Sequence, residues 1–299
     1  MKNQGLVSVI MNCYNGEKYL REAVQSVLDQ TYPYWEIIFW DNQSDDASAN
    51  LFSSYTDSRM HYFRAPQHTS LLYEARGYAL LQARGDYIAF LDVDDIWLPE
   101  KLEKQVALFQ NPAVGIVCGN YWVHSEPKNK RWIASKKPMP TGWVLEALFK
   151  SYFVALPTLI VRRTSIKKLE YVFDPRFHII GDRDLVHRLS AVTKLDCVQE
   201  PVAIYRLHGN NETSKHAARN IQELEIWIKE IKNIEKIGKN RYFGLAQEQI
   251  TYIKAMQFIL QRKKKMAIGL LRDISTVKDW LRILIALLLP QFLVKKLKN

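Results

Sequence analysis

Gly85-Asp86-Tyr87-Ile88-Ala89-Phe90-Leu91-Asp92-Val93-Asp94-Asp95 sets an apolar, β-branched and aromatic run directly against three carboxylates. The run reads as a buried strand, and ligands of open α/β sheets bind just outside the carboxyl ends of such strands. Asp92, Asp94 and Asp95 crowd into four consecutive positions, where like charges repel strongly unless a cation sits among them. Hard divalent cations take carboxylate oxygens. A plainer alternative makes Asp95 the cap of a helix through Leu98-Pro99-Glu100-Lys101, with Pro near its first turn. That accounts for one acid and leaves two.

Working outward, the same grammar recurs. Leu6-Val7-Ser8-Val9-Ile10-Met11 is a first short apolar run and Trp35-Glu36-Ile37-Ile38-Phe39-Trp40 a second, ending at Asp41. Between them, after Asn15-Gly16, the residues Leu20, Ala23, Val24, Val27 and Leu28 recur at helical spacing. A helix near 47–55, a short strand at 60–64 and a helix at 73–83 lead into the acidic strand. Such alternation predicts parallel βαβ units. Pro127 to Pro140 is basic and Pro-containing and reads as a loop over the substrate side. Residues 143–150 and 182–192 pattern as helices and Val198 to Arg206 as a late strand. From about Thr213 long amphipathic helices take over, which predicts an α/β domain over residues 1–212 and a basic helical region over 213–299.

The net charge of +11 belongs to that second region: residues 1–214 hold 24 Lys/Arg against 24 Asp/Glu, residues 215–299 hold 18 against 7. Arg262-Lys263-Lys264-Lys265 and Lys295-Lys296-Leu297-Lys298-Asn299 flank an apolar stretch from Trp280 to Pro290. Apolar residues with Trp and flanking Lys describe a segment drawn to an anionic membrane surface; the alternative is an appendage packed on the α/β domain or on a second subunit. No recognition motif accompanies the charge, so nucleic acid is not an expected partner. The longest apolar stretch, Ile283 to Val294, is interrupted by Pro290 and falls short of the ~20 residues of a spanning helix. Met1-Lys2-Asn3-Gln4-Gly5 runs straight into the first strand without the apolar core of a secretory signal. Cys13, Cys118 and Cys197 show no CxxC spacing, which argues for buried thiols in a reducing compartment. A cytoplasmic protein resting on the inner face of the cell membrane is expected. Neither G-x-G-x-x-G nor G-x-x-x-x-G-K-[ST] occurs, which excludes dinucleotide-dehydrogenase and P-loop readings.

Four segments, taken in order over residues 5–212, together resemble the family-2 inverting glycosyltransferases of the GT-A fold. They are Val7-Ser8-Val9-Ile10-Met11-Asn12-Cys13-Tyr14-Asn15, Ile37-Ile38-Phe39-Trp40-Asp41-Asn42-Gln43-Ser44, Phe90-Leu91-Asp92-Val93-Asp94-Asp95-Ile96-Trp97-Leu98-Pro99, and Ile180-Gly181-Asp182-Arg183-Asp184-Leu185. The resemblance implies a Rossmann-like, mixed but mainly parallel sheet and a nucleotide-diphosphate sugar donor, UDP before dTDP or GDP. It also implies a divalent cation, Mn2+ or Mg2+, and inverting transfer to a hydroxyl of a glycan or polyprenyl-linked acceptor in surface-polysaccharide synthesis.

On this resemblance Tyr14 lies against the nucleobase, the alternative being a core tyrosine. Asp41 accepts from a pyrimidine imide or a ribose hydroxyl. Asp92 serves the ribose side and Asp94 the metal, while Arg76 reaches the donor unless it is a solvated helix arginine. Asp182 is the base that takes the acceptor hydroxyl proton, a role compatible with a first-turn aspartate. His208 adds a metal or diphosphate contact. Four departures stand out: Asn12 for Pro or Thr, Asn42-Gln43 for Asp-Gly, Gly77 where Asn is frequent after Arg76, and Gly181 where Glu is frequent before the base. Lys128-Asn129-Lys130-Arg131-Trp132 lacks the Gln of Gln-x-x-Arg-Trp and precedes Asp182, so one sugar per encounter is expected rather than processive synthesis. Two rivals remain: a non-catalytic nucleotide-sugar-binding scaffold, opposed by the intact acids, and a nucleotidyltransferase, which would consume a triphosphate and release pyrophosphate.

Overall fold

The computed structural model describes residues 5–290 and 293–294; Met1 to Gln4 and the basic run Lys295 to Asn299 lie outside the described residues. Two compact units are present, Met1–Leu148 with Tyr152–His216, and Phe149–Ser151 with Ala217–Asn299.

The first unit opens with β1 (Val7–Cys13), α1 (Glu17–Leu28), β2 (Trp35–Asp41), α2 (Ser48–Ser53), β3 (Met60–Arg64), α3 (Leu72–Gln82) and β4 (Tyr87–Phe90). β1 lies parallel to β2 and β4, with Cys13 opposite Asp41 and Ile10 opposite Phe90, and β3 lies parallel to β2. Every residue of β1, β2 and β4 is buried, because helices cover both faces of a parallel sheet; of the polar residues among them, Ser8 donates to Glu36 at 2.7 Å. The two-residue period divides the strand residues. Val7, Val9, Met11, Ile37 and Phe39 pack with Leu20, Val24 and Val27 of α1. Ile10, Ile38 and Phe90 pack with Ala75 and Ala79 of α3.

The chain continues through β5 (Ile96–Trp97), α4 (Lys101–Leu108), β6 (Val114–Ser125), β7 (Lys130–Ile133), α5 (Leu145–Lys150), β8 (Ile160–Arg162), α6 (Arg163–Ile166), α7 (Gly181–Ser190), β9 (Lys194–Leu207) and α8 (Glu212–Lys215). The strand order is β3-β2-β1-β4-β8-β6-β9-β5, with β7 attached to β6. β8 runs antiparallel to β4 and β6, while β9 runs parallel to β6. Part of the segment read as a loop between Pro127 and Pro140 is therefore strand: Lys130 to Ile133 pairs antiparallel with Trp122 to Ser125. The sheet thus has a mainly parallel half and a mixed half, and β4 stands at their junction with its three acids.

α7 is anchored by Asp184 and Arg188, side chains 3% and 4% exposed, whose carboxylate and guanidinium meet at 2.6 and 2.9 Å. Arg188 also donates to the carbonyls of Tyr171 and Val172. Asp184→Ala would remove the carboxylate in direct contact with this buried cation, and urea unfolding is expected to show a loss of roughly 3–5 kcal/mol. A loss within experimental error would contradict this account of the pair.

The second unit is helical: α9 (Ala217–Ile231), α10 (Glu235–Gly238), α11 (Phe243–Leu260), α12 (Lys264–Gly269) and α13 (Val277–Leu288). Ala255, Met256, Ile259, Ala267, Ile274, Ile283 and Ala286 form its core around α11, α12 and α13. Thr276 precedes α13 and donates its N–H and hydroxyl to Glu248 of α11, at 3.2 and 2.7 Å. No helix among the described residues is long and apolar enough to cross a membrane.

Candidate active site

The parallel strands end on one edge, and the residues singled out in the sequence cluster there. Tyr14 follows β1 and is 53% exposed, its ring 4.5 Å from that of His68; it is not a core tyrosine. Asp41, at the end of β2, is fully buried. Its carboxylate accepts the Ser44 N–H at 2.8 Å and the Tyr62 hydroxyl at 2.7 Å, so it holds its own loop. Burial, then the bond to Asp41, pushes the Tyr62 hydroxyl up to about 12. Asn42 binds the opposite loop, donating to the Thr69 carbonyl at 2.8 Å and accepting the Thr69 N–H and hydroxyl at 3.0 Å. Gln43 adopts φ +67°, the left-handed region that glycine enters without penalty, which explains why Gly is at home at this position in the resembling family. The departure at Asn42-Gln43 thus keeps the turn and adds side-chain ties. Asn12 is buried near the end of β1, and both polar atoms of its amide lack a hydrogen-bond partner among the described residues.

The acids after β4 have distinct partners. Asp92 is ion-paired to Arg76 of α3, whose side chain is 2% exposed; Arg76 is therefore not a solvated helix arginine. Asp94 faces His208 at 2.8 Å. The Asn210 N–H donates to His208 Nδ1 at 3.2 Å, so Nε2 carries the hydrogen and donates to Asp94. Asp95 is 1% exposed; one carboxylate oxygen accepts the Arg206 N–H at 2.9 Å and the other has no partner among the described residues. It does not cap the next helix, since α4 starts at Lys101 with Glu100 at its N-cap position. Burial, then the charge of Asp92, holds the Asp94 carboxyl above its usual range, partly offset by His208. Burial, then Asp94 and Asp92, pushes Asp95 well up.

Ligand oxygens of Asp92, Asp94 and Asp95 all lie within 4.8 Å of one another. An orphaned buried oxygen, and two carboxyls raised by burial and then by neighbouring negative charge, mark a site whose negative charge is undercompensated. Such a set fits a hard divalent cation, and carboxylate donors suit Mg2+ or Mn2+. Arg206 supports the cluster from β9, donating to the Asp94 carbonyl at 2.9 Å and pairing with Glu22 and Glu126 at 2.7 and 3.2 Å. Its role was not read from the sequence, where a lone arginine in a strand carries no signal.

Asp182 lies in the first turn of α7, where the helix dipole favours a carboxylate. One oxygen accepts the Tyr73 hydroxyl at 2.9 Å and the other the Tyr152 hydroxyl at 3.2 Å. Burial raises its pKa; the Tyr73 bond, Arg76 and Arg183 oppose that rise. Neither tyrosine belongs to a motif, so the sequence offered no signal for them beyond an aromatic at the start of a predicted helix. α3 joins the two halves of the site: Tyr73 and Arg76 stand three residues apart, on one helical face, the first on Asp182 and the second on Asp92.

The family described as Glycosyl transferase family 2 matches residues 8–170. Among relatives of known name, the chain is 33% identical over 168 residues to the UDP-Glc:alpha-D-GlcNAc-diphosphoundecaprenol beta-1,3-glucosyltransferase WfgD of Escherichia coli, covering 56% of this chain and 64% of that protein. It is 30% identical over 168 residues to WfaP of the same organism, a protein of the same description, covering 56% and 65%. The chain therefore spans just under two thirds of the length of each. Among solved structures, S. aureus TarS 1-349 in complex with UDP superposes with a TM-score of 0.68 at 16% identity, over 93% of this chain and 80% of that one. The mannosyltransferase PcManGT from Pyrobaculum calidifontis, in complex with GDP-Man and Mn2+, gives 0.61 at 14% identity, over 91% and 75%. At such identities the likeness is one of fold, and the fold is GT-A.

Proposed function

The chain belongs to glycosyltransferase family 2, and from that premise we propose that it is a metal-dependent inverting glycosyltransferase using a UDP-sugar and a lipid-linked glycan acceptor. The observation that carries this reading is the continuity from Asp182 through Tyr73 and Arg76 to Asp92. One short helix face connects a carboxylate able to take a proton with the acids able to hold a donor diphosphate and its cation. The likeness to two glucosyltransferases named for UDP-Glc and a diphosphoundecaprenol acceptor supports the substrate classes.

In this reading the nucleobase stacks on Tyr14 beside His68, over the loop that Asp41 holds. Asp92, fixed by Arg76, lies on the ribose side. Asp94, to which His208 is hydrogen-bonded, would hold the cation together with its neighbour Asp95. Bound there, the cation would offset the charge that grows on the departing diphosphate. Asp182 takes the proton of the acceptor hydroxyl while that oxygen attacks the anomeric carbon from the face opposite the leaving UDP. No covalent sugar–enzyme bond forms, so a single base suffices.

The direct test is to incubate the protein with Mn2+, UDP-glucose and GlcNAc-diphosphoundecaprenol and to read the new linkage by NMR. A β-linked product with release of UDP is expected from an α-linked donor. An α-linked product would overturn inversion, and pyrophosphate release from UTP would favour a nucleotidyltransferase.

An anionic membrane surface completes the proposal. On α13, Val277, Leu281, Ile285 and Leu288 are exposed along one helical stripe, with Trp280 beside them. Lys264 donates to the Leu287 carbonyl at 2.6 Å, which brings the basic run Arg262 to Lys265 to the end of that stripe. An apolar stripe bordered by cations suits anionic lipid. The protein is expected to float with vesicles of mixed phosphatidylcholine and phosphatidylglycerol and not with phosphatidylcholine alone, and Leu281→Glu with Ile285→Glu to abolish flotation. Equal flotation of that variant would contradict this placement.

A further inference from the structure

We propose that Tyr73 and Tyr152 form a two-hydroxyl clamp that orients the carboxylate of Asp182, and that Gly181 is the gap through which Tyr73 reaches it. The inference rests on Asp182 being the base and adds the residues that set it.

Gly181 opens α7 immediately before Asp182. A Cβ at this position would stand 2.5 and 2.6 Å from the Cδ1 and Cδ2 atoms of Tyr73 and closer still to Cγ. The Tyr73 ring therefore occupies the space that any side chain at 181 would claim. The ring is held there: it is 3% exposed, packs 5.2 Å from Phe173, and lies 4.7 Å from the Arg76 guanidinium. Tyr152 reaches the second oxygen from the segment after α5. Its ring stacks on His187 at 5.8 Å, and the Arg183 guanidinium lies 4.8 Å from its centroid.

Two hydroxyls on two oxygens fix the rotation of the carboxylate, whose roughly four acceptor positions still leave room for a substrate hydroxyl. Burial, and next the charge of Asp182, keeps both tyrosine hydroxyls well above their usual range, so they remain donors. Donation to a carboxylate favours its charged form, the form that can accept a proton. The charged or titratable groups around the base are Tyr73 and Arg76 of α3, Tyr152, and Arg183 and His187 of α7, with Asp92 acting on Tyr73. His187 does not titrate near neutrality, because burial, then Arg183, lowers it to about 3.

The test is the pH dependence of sugar transfer by the parent protein, Tyr73→Phe, Tyr152→Phe and Gly181→Ala, with Asp182→Asn in the same assay. Each lost hydroxyl is expected to raise the acidic limb of kcat by about one pH unit and to leave the donor KM within twofold. Gly181→Ala, by expelling the ring, should reproduce the Tyr73→Phe shift. Should it fail to fold, the two Phe variants decide alone. An acidic limb unmoved in both Phe variants, with Asp182→Asn inactive, would overturn the clamp. An active Asp182→Asn would instead overturn the base assignment on which it rests.

Discussion

Asp182→Asn is expected to bind UDP and Mn2+ as tightly as the parent protein and to transfer sugar roughly 1,000-fold more slowly, the middle of the range for loss of a general base. The substitution is isosteric, and the amide oxygen and nitrogen can still meet the Tyr73 and Tyr152 hydroxyls, so α7 should keep its place. What is lost is the ability to take a proton. Donor affinity and turnover should therefore separate, with calorimetric UDP binding unchanged and kcat collapsed. Transfer within tenfold of the parent rate would show that another group removes the acceptor proton.

The second large effect is expected at Asp94. Its carboxyl lies among the negative charges of Asp92 and Asp95 and faces His208. Asp94→Asn takes away one of the hard oxygen donors and part of the charge that draws a cation into the cluster. UDP binding in the presence of Mn2+ should weaken at least 100-fold, equivalent to about 2.8 kcal/mol on the scale of 1.4 kcal/mol per tenfold. Binding in the presence of EDTA should be equally weak in parent and variant. If Mn2+ strengthens UDP binding equally in both, the cation is held elsewhere.

The half of the fold that carries the donor residues was legible because its strands are buried on both faces. β1, β2 and β4 are mostly apolar runs ending in Tyr14, Asp41 and the acid trio, and those ends are where the candidate site lies. The mixed half was harder to read. β6 and β9 are longer than their apolar patches, since their pairing is broken by register shifts near Gly119 and Asn120. β7 carries Lys130, Arg131 and Trp132 exposed on a strand paired to β6; charge is a common way to blunt a strand edge, and in sequence it reads as loop. The cap alternative for Asp95 fails because a helix-cap pattern is local, whereas the bond to its carboxylate comes from Arg206, 111 residues away. Tyr73 and Tyr152 escaped for the same reason, their meeting on Asp182 being a product of how α3 and the segment after α5 pack on α7.

The measurement that bears most directly on the central claim is a calorimetric titration of the full chain with UDP, dTDP and GDP, each with Mn2+ and with EDTA. It requires no knowledge of the acceptor. The account predicts that one of the three, UDP first among them, binds with Mn2+ and loses most of its affinity with EDTA. Failure of all three to bind folded protein in Mn2+ would contradict the donor site and leave a scaffold that keeps the fold without the chemistry.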